Sequence, residues 1–184
     1  MKIVFYKALL NRAKDLSPTE RIIYSFLISK SVTYISDFFD VDGTCLNVEE
    51  LYSYLEGCKY IELFPISTRR LAEVLHITHP TVINGLKKMR KLGYIQNSDI
   101  FVDKEYLEYG FFELHRYDIL TGQVLIFYSF IKDKARLYGG CIDTFRIKLA
   151  ELFDVAIYSI NQYLAKLYKL HLIERLDNGK LRIV

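Results

Sequence analysis

The sequence predicts a mainly α-helical fold with small β-hairpins, of α+β class, made from one module used twice. Three observations carry this expectation. Leu71-Ala72-Glu73 recurs as Leu149-Ala150-Glu151, an offset of 78 residues that continues without a gap: Leu86, Lys88, Lys91, Leu92 and Ile95 reappear as Leu164, Lys166, Lys169, Leu170 and Ile173. Upstream, Leu16, Ile22, Tyr24, Ser25, Phe26 and Lys30 recur at an offset of 104 as Leu120, Ile126, Tyr128, Ser129, Phe130 and Lys134. Each copy then closes on alternating apolar residues around a polar turn, and the Asn178-Gly179 pair of the second is a strong hairpin signal. A module used twice must satisfy the same packing twice, which narrows the fold. The offsets of 104 and 78 differ by 26, so the first copy holds an insertion of about that length. The expected division is 1–102 and 103–184, with an acidic insertion at about residues 31–60.

The elements follow in order. Lys2–Tyr6 reads as a short strand. Ser17-Pro18-Thr19-Glu20 starts a helix: Ser17 caps it, Pro18 suits its first turn, and Glu20 completes a capping box. Ile22, Ile23, Phe26 and Leu27 form its apolar face at helical spacing. The insertion carries an Asp42-Gly43 turn and a short helix across Val48–Leu55. Ile61–Phe64 reads as a strand, Ser67 caps a helix through Leu75, and Thr78 caps another running to Leu92, with Gly93 at its left-handed end. A hairpin spans Tyr94–Val102. Residues 103–118 read as a polar, acidic connector without an evident helix, leading into a strand at Tyr109–Leu114. The second copy repeats the order: helix Thr121–Lys132, strand near Leu137–Ile142, helices Thr144–Phe153 and Ala156–Leu170, and the hairpin Leu172–Val184.

Helix, short turn, helix and hairpin is the order of a winged helix–turn–helix. The stretch Ser67-Thr68-Arg69-Arg70-Leu71-Ala72-Glu73-Val74-Leu75-His76-Ile77-Thr78-His79-Pro80-Thr81-Val82, continuing through Asn84, Leu86, Lys87, Lys88 and Lys91 to Ile95, resembles the DNA-binding core of the GntR and MarR regulators. The tandem arrangement, in which each copy starts with a strand and a capped helix, resembles plasmid- and phage-type replication initiators. These resemblances imply two tandem winged-helix domains, double-stranded DNA as partner and a second helix lying in the major groove. They imply that Thr78, His79, Thr81 and Asn84 read bases or position on phosphate, an asparagine being a good bidentate partner for adenine. By the same resemblance Arg69, Arg70, Lys87, Lys88 and Lys91 contact phosphates, which position the protein without specifying sequence. Packing logic agrees: Leu71, Ala72 and Leu75 face inward from the first helix, and Val82, Leu86 and Met89 from the second.

The second copy is a looser match, with Ala156, Ile157, Tyr158, Ser159, Gln162 and Tyr163 at the positions of Thr78, His79, Pro80, Thr81, Asn84 and Gly85. Ser159, Gln162 and Lys166 remain candidates for DNA, together with Arg175, Lys180 and Arg182 of its hairpin. The first hairpin turn, Asn97–Asp99, lacks a basic residue. Ile157, Tyr158 and Tyr163 are equally suited to a protein partner or to self-association through the second copy.

Charge is separated along the chain. Residues 69–91 hold six Arg and Lys against Glu73 alone, whereas residues 37–62 hold seven Asp and Glu against Lys59 alone. The net charge of +3 hides this polarity, which suits a polyanion met on one face. Three readings of function follow: a sequence-specific transcriptional regulator, a replication initiator binding origin repeats, or a protein–protein scaffold built on tandem winged helices. Catalysis is not expected, since no phosphate-cradling glycine loop, metal-protease helix or paired-carboxylate signature is present. His76 and His79 lack the further ligands of a metal site. No cofactor is expected. Cys45, Cys58 and Cys141 form no Cys-x-x-Cys and read as buried free thiols. No apolar run approaches the ~20 residues that span a bilayer, and Met1–Lys7 does not read as a signal peptide, so no membrane partner and a cytoplasmic location are expected.

Overall fold

In the structure, a computed structural model, residues 3–35, 48–115, 119–142 and 145–184 are described. The expected Asp42-Gly43 turn and Cys45 lie outside them. The first half runs β1 (Val4–Tyr6), a 3-10 turn (Lys7–Leu10), α1 (Pro18–Tyr34), α2 (Val48–Gly57), β2 (Tyr60–Glu62), α3 (Thr68–Leu75), α4 (His79–Lys91), β3 (Ile95–Gln96) and β4 (Asp99–Phe101). After α5 (Lys104–Glu108) the second half repeats it: β5 (Phe111–Glu113), α6 (Gly122–Leu137), β6 (Cys141–Ile142), α7 (Arg146–Phe153), α8 (Ile157–Lys169), β7 (Ile173–Arg175) and β8 (Leu181–Ile183). The α+β class is therefore the one observed.

The halves share sheet order as well as element order. Each contains a three-stranded antiparallel sheet in which the last strand lies centrally, β2-β4-β3 in one and β6-β8-β7 in the other. The backbone repeats too. His76 and Asp154, 78 residues apart, end α3 and α7 in the left-handed region, with φ of 49° and 50°. Gly93 and His171, again 78 apart, turn the chain into the hairpins at φ of 82° and 54°. Only glycine adopts this region freely, so His76, Asp154 and His171 hold it because the following turn closes there.

Local chemistry explains the helix starts. At α1 the capping box is complete: Ser17 Oγ accepts from the Glu20 N–H, and the Ser17 N–H donates to Glu20 Oε2. Ser67 Oγ caps α3 by accepting from the Arg70 N–H at 3.2 Å. Thr78 occupies the N-cap position of α4 but does not cap it with its side chain, because its hydroxyl pairs with Thr81 Oγ1 at 2.7 Å.

The two halves share one continuous core. Their opening strands pair with each other, β1 antiparallel to β5, and α1 lies against α6. Phe5 and Phe112 stack across this junction at 5.4 Å between ring centroids. Tyr24 and Tyr128, one per half, are fully buried, and the Tyr24 hydroxyl donates to the Phe101 carbonyl at 2.6 Å. Ser25 and Ser129 are also fully buried. Ser25 Oγ accepts from the Tyr6 N–H at 3.0 Å and donates to the Val4 carbonyl at 3.1 Å. Ser129 Oγ accepts from the His115 N–H at 2.8 Å. Ser25 thus ties α1 to β1, and Ser129 ties α6 to the chain just after β5.

Several expectations need correction. The connector contains a helix after all, α5, whose first turn is capped by Asp103 accepting from the Glu105 N–H. The helix expected at Thr121–Lys132 continues to Leu137, because Ala135 stays buried one turn further along. Among the described residues the thiols are not buried: Cys58 is exposed and Cys141 half-buried. Tyr163 is not free for a partner, since its ring packs on Phe127 at 5.5 Å. At the matching position of α4, Gly85 lets α1 approach closely, and an added Cβ would stand 3.3 Å from Ile23 Cδ1.

Candidate nucleic-acid interface

Helix α4 is amphipathic by position. Val82, Gly85, Leu86 and Met89 are buried, with α1 and α3 packed against the helix. At 100° per residue the opposite stripe consists of Pro80, Asn84, Lys87 and Lys91, and all four are exposed. Among the described residues none hydrogen-bonds the Asn84 amide and none pairs with Lys87 or Lys91. Thr81 borders this stripe on one side and Arg90 stands beyond it on the other, both exposed.

Arg69 and Arg70 lie in the first turn of α3, exposed. Positive charge is mildly unfavourable at a helix N-terminus, where the macrodipole is also positive. Arg70 relieves this by an ion pair with Glu73 at 3.0 Å, while Arg69 has no such partner among the described residues.

Three predicted residues are placed differently from expectation. Lys88 leaves the outer stripe: its Nζ donates to Glu20 Oε2 at 2.9 Å, tying α4 to α1. His79 is half-buried, its Nε2 sharing a 2.8 Å hydrogen bond with Thr68 Oγ1, which braces α4 against α3. Thr78 is exposed but engaged with Thr81. The structure brings Asn84, Lys87 and Lys91 together and assigns Lys88 and His79 to packing α4.

Glu20 joins both helices. Partial burial pulls its carboxyl upward, but hydrogen bonds from Lys88 and Ser17 outweigh this and hold it below its ordinary value of 4.5. A carboxyl depressed in the folded state contributes stability above its unfolded value, and that contribution is lost as pH falls through the folded value. The melting temperature of the native chain should therefore fall more steeply than that of Glu20→Gln between roughly pH 5 and pH 3. Thermal melts across that range check it, and parallel curves would refute the assignment.

On α8 the corresponding outer stripe is Tyr158, Gln162, Ala165 and Lys169, flanked by Ser159 and Lys166. Gln162 and Lys166 are exposed and Ser159 is half-buried. Tyr158 is 70% and Ile157 45% exposed, so the start of this helix is apolar where that of α4 is polar. Lys169 was missed by sequence reasoning, although its identity with Lys91 at the same offset was available to mark it. In the second hairpin Arg175 and Lys180 stand exposed on either side of the turn, whereas Arg182 forms a cross-strand ion pair with Glu174. The first hairpin tip, Asn97-Ser98, is exposed and uncharged. The β2 strand is fixed to it through Tyr60, whose hydroxyl donates to the Gly93 carbonyl at 2.8 Å and accepts from Gln96 at 2.7 Å.

The acidic α2 packs against α5, with Glu56 paired to Lys104. Among the described residues no helix is long and apolar enough to cross a membrane, and none of their His, Cys, Asp and Glu side chains cluster as a metal site would require. Compared with known protein families, curated proteins and solved structures, the chain matches none of them.

Proposed function

We propose that this chain is a sequence-specific double-stranded DNA-binding protein built from two tandem winged-helix domains, about 1–102 and 103–184, and acts as a transcriptional regulator. The single observation that carries the reading is the outer stripe of α4. Asn84, Lys87 and Lys91 form an exposed polar and basic row on a helix anchored by its other face, beside Arg69 of α3. Such a row suits a major groove, with the amide at base edges and the lysines on phosphate. The second half supports binding through Gln162, Lys166, Lys169, Arg175 and Lys180. The acidic α2 belongs away from the phosphates, and its packing on α5 is consistent with that placement.

A second reading, a replication initiator binding origin repeats, is favoured by one feature. The two halves are joined through their opening strands, β1 to β5, so that both move as one body along iterated sites. The bound sequences separate the two readings: a regulator selects one operator from a random duplex pool, an initiator selects units that recur in direct array.

The reading itself is tested by salt. The four phosphate contacts of the first half alone, from Arg69, Arg70, Lys87 and Lys91, predict that duplex affinity falls at least roughly 100-fold between 50 and 200 mM monovalent salt. Fluorescence anisotropy on a random duplex measures this. Absence of binding even at the lower salt removes both DNA readings and leaves the protein–protein scaffold.

A further inference from the structure

The first half leaves open a cavity that the second half narrows. It has a volume of about 460 Å³ and lies between the first turn of α1, the α3–α4 turn and the start of α6. Its base is aliphatic: Ile3, Ile22, Leu75, Leu114 and Leu120 line it and are buried. Its mouth is polar, since His76, Thr78, Thr81 and Thr121 also line it and are exposed. Among the described residues no Asp, Glu, Lys or Arg lines it. The same kinds of element meet again in the second half, where Pro18 and Arg21 of α1 and Gln123 of α6 line a pocket with the α7–α8 turn. There about 210 Å³ is open and the walls are charged, by Arg21 and by Asp154, which pairs with Lys14. Phe153 stands in the place of Leu75, and Tyr163, in the place of Gly85, adds its ring to the lining.

A gap left by the packing of the fold would recur with the fold. This one does not, so particular residues of the first half create it. Its size, its place where the two halves meet and its apolar base beneath a few polar groups are those of a small-molecule site. The lining also sets the chemistry of the ligand. A charged group would lose part of its water here and meet no ion of opposite sign, which is costly. The threonine hydroxyls can donate to an oxygen or accept from a hydroxyl. Thr78 and Thr81 are already paired at 2.7 Å, and each oxygen keeps capacity for a further bond. We propose that this cavity binds a small, uncharged, largely aliphatic molecule carrying a carbonyl or hydroxyl oxygen. Its chain or ring lies on Ile22, Leu75 and Leu120, and its oxygen meets the threonines of the mouth. Because α1, the α3–α4 turn and α6 all line the cavity, the occupant bridges the two halves. The site does not rest on DNA binding and is measured without DNA.

Isothermal titration calorimetry of the full chain with decan-2-one, a linear ketone, and menthone, a cyclic one, should show saturable binding of at least one of them. The ketone that binds should also raise the melting temperature, because it stabilises the folded chain by mass action. Decanoate has the chain length of decan-2-one but is ionised, and should bind at least roughly tenfold more weakly, since no lining side chain pairs its charge. Leu125 is half-buried and lines the cavity, so Leu125→Trp fills the space with an indole and should abolish ketone binding. If circular dichroism shows that variant unfolded, Thr121→Trp at the exposed mouth replaces it. A native chain that binds neither ketone overturns the proposal. So does a tryptophan variant that binds the ketone as tightly as the native chain, because the ketone then sits elsewhere. Decanoate binding as tightly as the ketone also overturns it, because the site then accepts charge.

Discussion

Replacing Lys87 and Lys91 together with alanine is expected to weaken duplex binding roughly 60-fold at 0.1 M monovalent salt, and to flatten the salt dependence by about 1.8 log units per decade. Each phosphate contact contributes ~0.9 to that slope, and the contribution vanishes near ~1 M salt, so two contacts give this loss. The effect should be equal for all sequences, because phosphates carry no base identity. Asn84→Ala should behave in the opposite way. Non-specific affinity stays, and discrimination at one base pair falls by about 1–3 kcal/mol. Lys88→Ala is the internal control: its amine is engaged by Glu20, so binding should hold while stability drops. Anisotropy titrations of the three variants on a selected duplex and a scrambled one decide the matter. If Lys88→Ala costs as much affinity as the Lys87 and Lys91 pair, α4 does not present the stripe proposed for it. If Asn84→Ala leaves sequence preference intact, the base-reading assignment fails.

Much of this architecture was legible because the repeat preserves what a core needs. Leu71, Leu86 and Ile95 recur as Leu149, Leu164 and Ile173, and all but the half-buried Leu149 are buried. Caps and turns were legible for the same local reason, as with Ser17, Ser67 and Gly93. What escaped was decided between elements distant in sequence. Lys88 meets Glu20 across 68 residues, and no local pattern distinguishes it from Lys87 and Lys91. The pairing of β1 with β5 is equally hidden, since alternation marks a strand without naming its partner. Helix α5 was masked by the acidic composition around it; Asp103 caps it and Tyr106 buries against Tyr24 and Phe101. At the candidate interface the sequence did not reveal which way each side chain is engaged. His79 and Lys88 have polar groups of the kind proposed to meet DNA, and the structure uses them to hold α4 against α3 and α1.

Ser25→Ala should destabilise the whole chain by about 2–4 kcal/mol, because it strands two backbone groups rather than removing one favourable contact. Ser25, itself fully buried, is the link between α1 and β1, accepting from the Tyr6 N–H in a buried bond and donating to the Val4 carbonyl in a part-buried one. Alanine fits the space but leaves that N–H and C=O without water or partner, at about 1–3 kcal/mol each. The loss is not confined to the first half. Among the described residues β1 pairs with β5 alone, so loosening β1 releases the strand that joins the halves and the Phe5–Phe112 contact beside it. Because the core is continuous, unfolding of the variant should remain a single transition at a lower urea midpoint. Ser129→Ala provides the comparison. Its serine accepts from the His115 N–H in a part-buried setting, so a smaller cost of about 1–2 kcal/mol is expected. Urea titrations followed by circular dichroism rank the pair. Equal midpoints would show that the two repeated serines do the same work, and two separate transitions would show that the halves do not depend on their shared strands.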